Sequence, residues 1–395
     1  MATTRGVTLQ QLEDLVKRAE KLQLQIHESG KQQVPPKSEP VRFGLQEASD
    51  LIGRTAQAIR DAEADGRLPK PEIGENGRRI GFGLADINHA RDVFGTRLKR
   101  QTSDEPVVLC VQNFKGGSAK TTTSVHLAQY LAISGLRVLL VDADSQASAT
   151  TTFGYVPDLE IDLSQTLLPY LQGEQQTLEY AVRSTSWDGL SLIPANLDLY
   201  GAEYYLARYI ASDNKTLNRL RSGLIRIKHE FDVVIIDPPP ALGMISLSAL
   251  RAADALLVPM PAAAYDYYST VSFLKMTHEV LQSVNQVLGP TELKFIRLLI
   301  TRLDEASELQ VMLSELAPEA LGNYVLPVAI RQTAGLDRAA ILGRTLYEAT
   351  NELVPRKTLK RGKASFDAAN AEILTLIRRC WPSHAQALRK HEGLI

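Results

Sequence analysis

Lys115-Gly116-Gly117-Ser118-Ala119-Lys120-Thr121-Thr122 is the segment of this chain whose residue types and order most clearly suit chemistry. A glycine-containing turn lets backbone N–H groups converge on an anion, and a helix starting there adds positive potential. In such a turn Lys120 neutralises phosphate charge and the Thr121 hydroxyl ligates Mg²⁺. The ordinary phosphate-loop pattern asks for glycine where Phe114 and Ala119 stand. A Cβ at position 119 costs about 1–2 kcal/mol if the backbone there is left-handed.

Two acidic segments share the chemistry. Val138 to Gln146 reads as an apolar run ending in Asp142 and Asp144, and Phe231 to Pro240 as another ending in Asp237 and three prolines. An acid at a strand end serves equally well as a helix cap. Three of them beside a Lys-Thr loop point instead to a shared phosphate and Mg²⁺ site, because ligands of open α/β sheets bind at the carboxyl ends of the strands.

The elements that must position these groups are legible from Pro106 onward. Short apolar runs at Val107–Val111, Arg137–Val141, Ser191–Pro194, Val233–Ile236, Ala255–Val258, Phe295–Ile300 and Tyr324–Val328 alternate with helical patterns such as Thr121–Ser134 and Leu217–Lys228. That alternation predicts an α/β fold with a doubly wound, mostly parallel sheet over residues 105–395. Ahead of it, Thr8–Glu28 has apolar residues at spacings of three and four. It reads as an amphipathic helix whose stripe is buried either by a partner subunit or by its own chain. A polar linker, Gly30–Pro40, completes a first region of residues 1–40. Residues 41–104 show helices at Leu45–Ile52 and Thr55–Ala64 about the Gly53 turn, then a β-ribbon at Gly74–Gly83 and a helix at Leu84–Arg100. That is the order of a winged helix-turn-helix.

With these motifs in view, the chain resembles the ParA/MinD group of P-loop ATPases, whose loop reads Lys-Gly-Gly-x-Gly-Lys-Thr-[Thr/Ser]. The Asp-x-Asp-x-Gln segment at Asp142–Gln146 and the apolar strand ending in Asp-x-Pro-Pro match the same group over roughly Val107–Thr350. An N-terminal helix and a winged unit ahead of them look like the long plasmid-partition ParA and RepA-type proteins. The resemblance implies an ATPase with ATP and Mg²⁺ as cofactors. It implies a homodimer that binds DNA non-specifically when ATP is bound, and stimulation by a ParB-like centromere-binding partner. It also implies a cytoplasmic, nucleoid-associated protein, with operator binding and autorepression through the winged unit. Residue by residue, Lys115 becomes the signature lysine that reaches the opposing subunit's nucleotide, and Lys120 the phosphate lysine. Thr121 ligates Mg²⁺ and Asp237 holds it through water. Asp144 positions the attacking water, with Asp142 supporting it. Arg302 and the Met260–Asp266 segment, which follow strand ends, are the candidates for adenine contact. Ala119 is the departure from the group's pattern and bears on affinity and turnover.

Two basic surfaces are candidates for DNA. Arg54, Thr55, Gln57 and Arg60 begin or face outward from the second helix of the 41–104 unit, and Arg78 and Arg79 lie in its ribbon. Arginine and glutamine on such a helix read guanine and adenine edges, while ribbon arginines suit phosphate. Late in the chain Arg356, Lys357, Lys360, Arg361 and Lys363 run without an intervening acid, a pattern equally met on solvated faces. The resemblance gives this run the non-specific DNA role.

Composition sets the remaining bounds. With 44 Lys and Arg against 45 Asp and Glu the formal charge is −1, so DNA contact must come from local patches. The two cysteines, Cys110 and Cys380, sit in apolar or helical patterns and read as reduced, packed thiols of a cytoplasmic protein. They are too few for a metal-cluster reductase of the same superfamily. The N-terminus shows no signal-peptide pattern. No stretch reaches the roughly 20 apolar residues a membrane span needs, and no clear C-terminal amphipathic helix supports a MinD-like membrane role. A nucleotide-sensing repressor with little turnover is the main alternative.

Overall fold

The computed structural model describes residues 8–33, 40–210 and 213–391. Met1–Glu39 and Pro40–Ile395 are two separate compact units. In the first, α1 (Leu9–Gln33) is one continuous helix that runs through Gly30, so the expected linker begins later. The rest of that linker up to Glu39 lies outside the described residues. Leu9, Leu12, Leu15, Val16 and Leu22 of α1 are exposed.

The second unit is built on an eight-stranded sheet of order β3-β4-β2-β5-β1-β6-β7-β8. Its strands are β1 (Val107–Val111), β2 (Val138–Asp142), β3 (Arg183–Ser184), β4 (Leu190–Ile193), β5 (Val233–Asp237), β6 (Ala255–Pro261), β7 (Phe295–Leu303) and β8 (Val325–Arg331). All neighbours pair in parallel except β3, which runs antiparallel to β4 at the edge. The seven expected strands form within a few residues. β3, only two residues long, has no apolar run to announce it. Alternate residues of β1 feed two cores: Val107, Leu109 and Val111 on one face of the sheet, Val108 and Cys110 on the other. A central strand with both faces buried is why this stretch is uniformly apolar.

In the 41–104 stretch, α2 (Leu45–Ile52) ends at Gly53 in the left-handed conformation, α3 (Ala56–Ala64) follows with Thr55 as its N-cap, and α4 is Leu84–Phe94. Two expectations need correction here. The helix expected to reach Arg100 stops at Phe94, because Gly95 turns left-handed (φ 67°) and caps it. The expected β-ribbon is reduced to single bridges, Ile73 with Arg79 and Phe43 with Phe82. Gly74, Gly77 and Gly81 fall in this short span, and glycine weakens strands. Ala48, Ile52, Ile59 and Ile87 share one buried cluster with the sheet and the C-terminal helices. Polar contacts fasten the same seam: Asn88 Nδ2 donates to Asp188 (2.7 Å) and Arg97 Nε to the Gly135 carbonyl (3.0 Å).

Candidate functional site

The phosphate loop leaves the carboxyl end of β1 and enters α5 (Lys120–Ile133). Its entrance is held by Asn113, whose Oδ1 accepts from Lys115 N (3.2 Å) while its Nδ2 donates to the Pro259 carbonyl (2.9 Å) and Thr270 Oγ1 (3.0 Å). Phe114 stands edge-on to Phe273 at 4.6 Å. Gly117 and Ala119 are both left-handed, Ala119 at φ 71° and ψ 27°, so the alanine does occupy the conformation that glycine relieves. Gly116 and Gly117 are exposed; Ser118 is buried, and its hydroxyl has no partner among the described residues. Thr121 and Thr122, in the first turn of α5, are half-buried.

Lys120 is buried and folds back over the loop, its Nζ 3.4 Å from the Lys115 carbonyl. Burial holds its pKa down, opposed by Asp237 and Asp144. Lys115, half-exposed, is ion-paired within its own chain to Asp266, in the first turn of the helix Ala264–Leu288. Arg302, a candidate for adenine contact, donates to the Gly117 carbonyl (3.0 Å) from a left-handed backbone (φ 53°).

The acids gather where adjacent strands end, since Asp142 of β2 and Asp237 of β5 are register partners. Asp237 Oδ1 accepts from Ser124 Oγ (3.0 Å), while its Oδ2 is buried with no partner among the described residues. Burial pushes this carboxyl up to about 6, against the pull of Thr121, Ser124 and Lys120. Asp142 is deeper. Its Oδ2 accepts from Thr150 N (2.8 Å) and Oγ1 (2.7 Å), and its Oδ1 from Asp144 N (3.3 Å). Burial, and next the Asp237 charge, push it up to about 8. Asp142 therefore shapes the loop that carries Asp144. Asp144 is half-buried and accepts from Gln146 N (3.0 Å). Carboxylates crowded in this way, with one orphaned oxygen and the Thr121 hydroxyl beside them, fit a hard cation that takes oxygen ligands. Thr121 and Asp237 would hold it.

Sequence reasoning missed Asn113, Ser124 and the Lys115–Asp266 pair. Ser124 had a local signal, since it lies four residues after Lys120 on one face of α5. The pairing of Lys115 with Asp266, across 151 positions, had none.

The DNA candidates are placed unevenly. Arg60 and Arg78 are exposed. Arg54 donates to the Phe94 carbonyl (3.3 Å) and lies over the Phe94 ring, Thr55 Oγ1 caps α3, and Gln57 bonds Asp61 (2.8 Å). Arg79 and Lys363 depart from the expectation of free phosphate contacts. Arg79 forks onto the buried Glu63 (2.7 and 2.6 Å) and covers the Phe82 ring, because a buried carboxylate needs a counter-charge. Lys363 is half-buried, with Glu47 and Asp367 as its facing charges. Lys357 and Lys360 stand exposed on the helix Arg356–Arg379.

A family model described as an AAA domain matches residues 107–289. Protein SopA of Escherichia coli (strain K12) is 39% identical over 315 residues, covering 78% of this chain and 80% of SopA. The chain belongs to the ParA-type family of P-loop ATPases. A solved structure titled "Partition Protein" covers 93% of this chain and 98% of its own at a TM-score of 0.66 and 18% identity, a likeness of fold. A cobyrinic acid a,c-diamide synthase from Mycobacterium smegmatis, solved with an ATP analog and magnesium, is 29% identical at a TM-score of 0.54 and covers 68% of this chain and 94% of its own. Within this ParA-type chain, no described helix is long and apolar enough to cross a membrane.

Proposed function

We propose that this chain is a Mg²⁺-dependent ATPase that acts as the switch of a DNA-partition system. ATP closes a homodimer, and the dimer binds DNA non-specifically through Lys357, Lys360 and their neighbours. A ParB-like centromere-binding partner speeds hydrolysis and so releases it, which makes the protein nucleoid-associated in the cytoplasm. The 41–104 unit, read as a winged helix-turn-helix, binds an operator through Arg60 and Arg78 and represses. The observation that carries this reading is the phosphate loop whose Lys120 faces Asp237 and Asp144 across the ends of β1, β2 and β5, with Lys115 at the loop entrance paired to Asp266. The magnesium and ATP analog bound by the diamide synthase support the choice of cofactor. Asp144 orients the attacking water. Lys115 leaves Asp266 and reaches the partner's triphosphate, and a cation supplied in that way can be worth about 10³–10⁵ in rate.

One other reading has its own support. The Lys115–Asp266 pair and the left-handed Ala119 suit a nucleotide sensor with slow turnover. Sedimentation and turnover with ATP and Mg²⁺ test the matter. The ATPase reading expects Lys115→Ala to keep ADP affinity while losing dimer and hydrolysis together, and Asp144→Ala to bind ATP yet trap the dimer on DNA. A Lys115→Ala variant with a normal dimer and normal turnover overturns it. Hydrolysis that neither DNA nor partner stimulates favours the sensor.

A further inference from the structure

The two residues just before the phosphate loop are fully buried amides, Gln112 and Asn113. Burying an amide without hydrogen bonds costs about 1–3 kcal/mol, so the partners of such a pair say what it holds. Asn113 holds the loop entrance. Gln112 reaches the other way: its Nε2 donates to Ser246 Oγ (3.0 Å) and to the Pro239 carbonyl (3.3 Å), and its Oε1 accepts from Asn113 N (2.9 Å). Ser246 Oγ also donates to the Pro239 carbonyl (3.3 Å).

Pro239 lies two residues beyond Asp237, inside Pro238-Pro239-Pro240. Prolines have no N–H, so carbonyls are the only backbone groups by which this segment can be held. The Pro239 carbonyl takes bonds from two side chains on other elements. Past it, Pro240 and Ala241 are exposed. The segment ends where the Glu203 carboxylate accepts from Met244 N and Ile245 N (3.1 Å), so close that a Cβ on Gly243 would meet it at 2.4 Å. Asp237 is thus tied to the phosphate-loop region twice, through Ser124 on α5 and, at the prolines that follow it, through Gln112, the residue that follows β1.

We propose that Gln112 is a positioning residue for hydrolysis: it fixes the Asp237–Pro240 segment against the phosphate loop and so sets where the Asp237 carboxylate stands. The inference rests on the ATPase reading. Gln112→Leu frees the Pro239 carbonyl from one donor, and Ser246→Ala removes the other with less disturbance of packing. For Ser246→Ala, which leaves the bond from Asn113 N to Gln112 in place, affinity for ADP without Mg²⁺ should stay within about twofold. For Gln112→Leu, which also removes the acceptor of Asn113 N, it should fall less than turnover does. The gain in affinity on adding Mg²⁺ should shrink. Turnover should fall at least about tenfold, because a misplacement of about 1 Å can cost 10²-fold. The double variant should cost little more than Gln112→Leu alone, since both side chains hold one carbonyl. Calorimetry with and without Mg²⁺, turnover, and melting of the nucleotide-free protein give the answer. Equal losses of affinity with and without Mg²⁺, or a lowered melting temperature with unchanged turnover, would reduce Gln112 to packing and overturn the proposal. Should Gln112→Leu not fold, Ser246→Ala decides by the same readings. Retention of ATP binding in Lys120→Ala would instead sink the nucleotide reading underneath.

Discussion

Charged side chains are used in opposite ways at the carboxyl ends of β1, β2 and β5 and on the surfaces suited to DNA. At the strand ends they are buried or half-buried and held from several sides, as Asp142 is by Thr150 and the Asp144 amide. On the surfaces many are already spent on neighbouring acids: Arg79 on Glu63, Arg361 on Glu305, Arg67 on Asp65. A site for a small, highly charged anion needs prearranged charges in a dry place, where each is worth more and each unpaired one costs more. A surface for a phosphate backbone needs only enough unspent cations in reach, and one lysine can replace another. Substitutions should therefore act all-or-none in the first region and by increments in the second.

The largest expected effect is Lys120→Ala. Loss of a charge-assisted contact worth about 3 kcal/mol predicts ATP binding weaker by more than about 10²-fold in calorimetry. Near-normal affinity would erase the contrast between the two regions.

Next comes His126, which joins the two regions inside the core. Its Nδ1–H donates to the Thr122 carbonyl (2.8 Å), its Nε2 accepts from Leu346 N (3.2 Å), and its ring stacks on Phe366 of the basic helix (4.1 Å). Burial lowers its pKa to about 4, against an ordinary value of 6.5. As pH falls from 6.5 the unfolded chain takes up the proton first. The stability His126 contributes is therefore complete above pH 6.5 and is lost between there and about 4. Two and a half pKa units correspond to about 3 kcal/mol. Asp142 and Asp237 titrate in the same range with the opposite sign, so the quantity to measure is the stability difference between wild type and His126→Gln. Denaturant melts should show that difference shrinking by about that amount from pH 7 to pH 4. A constant difference would mean His126 is not held neutral.

The same contrast explains what could be read before the fold was known. Lys120, Asp142 and Asp237 were legible because an apolar strand, its end and the following helix fix their place by local spacing alone. The roles of Gln112, Asp266 and Arg79 were not. Each depends on a partner in another element: Pro239 for Gln112, Lys115 for Asp266, Glu63 for Arg79. Spacing carries no trace of such pairings. Arg79 and Arg78 are alike as neighbours in sequence, yet one faces a buried acid and the other solvent.

That pair sharpens the comparison at a third level of effect. Arg79→Ala should destabilise by about 1–3 kcal/mol, because it leaves the buried Glu63 charge uncompensated, without changing the salt dependence of DNA binding. Replacing Lys357 and Lys360 by alanine should do the reverse. Stability should stay within about 0.5 kcal/mol, as surface changes usually do. Filter binding across a salt series should lose up to about two units of slope, nearly one per phosphate contact. A flatter slope for Arg79→Ala would return that arginine to the DNA surface.

The smallest expected effect concerns the one place where the phosphate loop departs from the family pattern. Ala119 holds φ 71° and ψ 27° at the N-cap of α5, so its Cβ carries the left-handed penalty of about 1–2 kcal/mol. Ala119→Gly removes that strain but gives the unfolded chain more freedom, which costs about 0.4–1 kcal/mol. The net gain should be at most about 1.5 kcal/mol, or no more than about 2 °C in melting temperature for a chain of 395 residues. The loop's shape is already the one glycine would adopt, so ADP affinity should change little. The strain is local to the loop, while the surface cations are indifferent to it, and DNA binding without nucleotide should not move at all. Melting and ADP titration of the variant test this together. A loss of stability would show that the Ala119 methyl group contributes more by packing than its backbone costs in strain, and that the loop tolerates alanine for a structural reason.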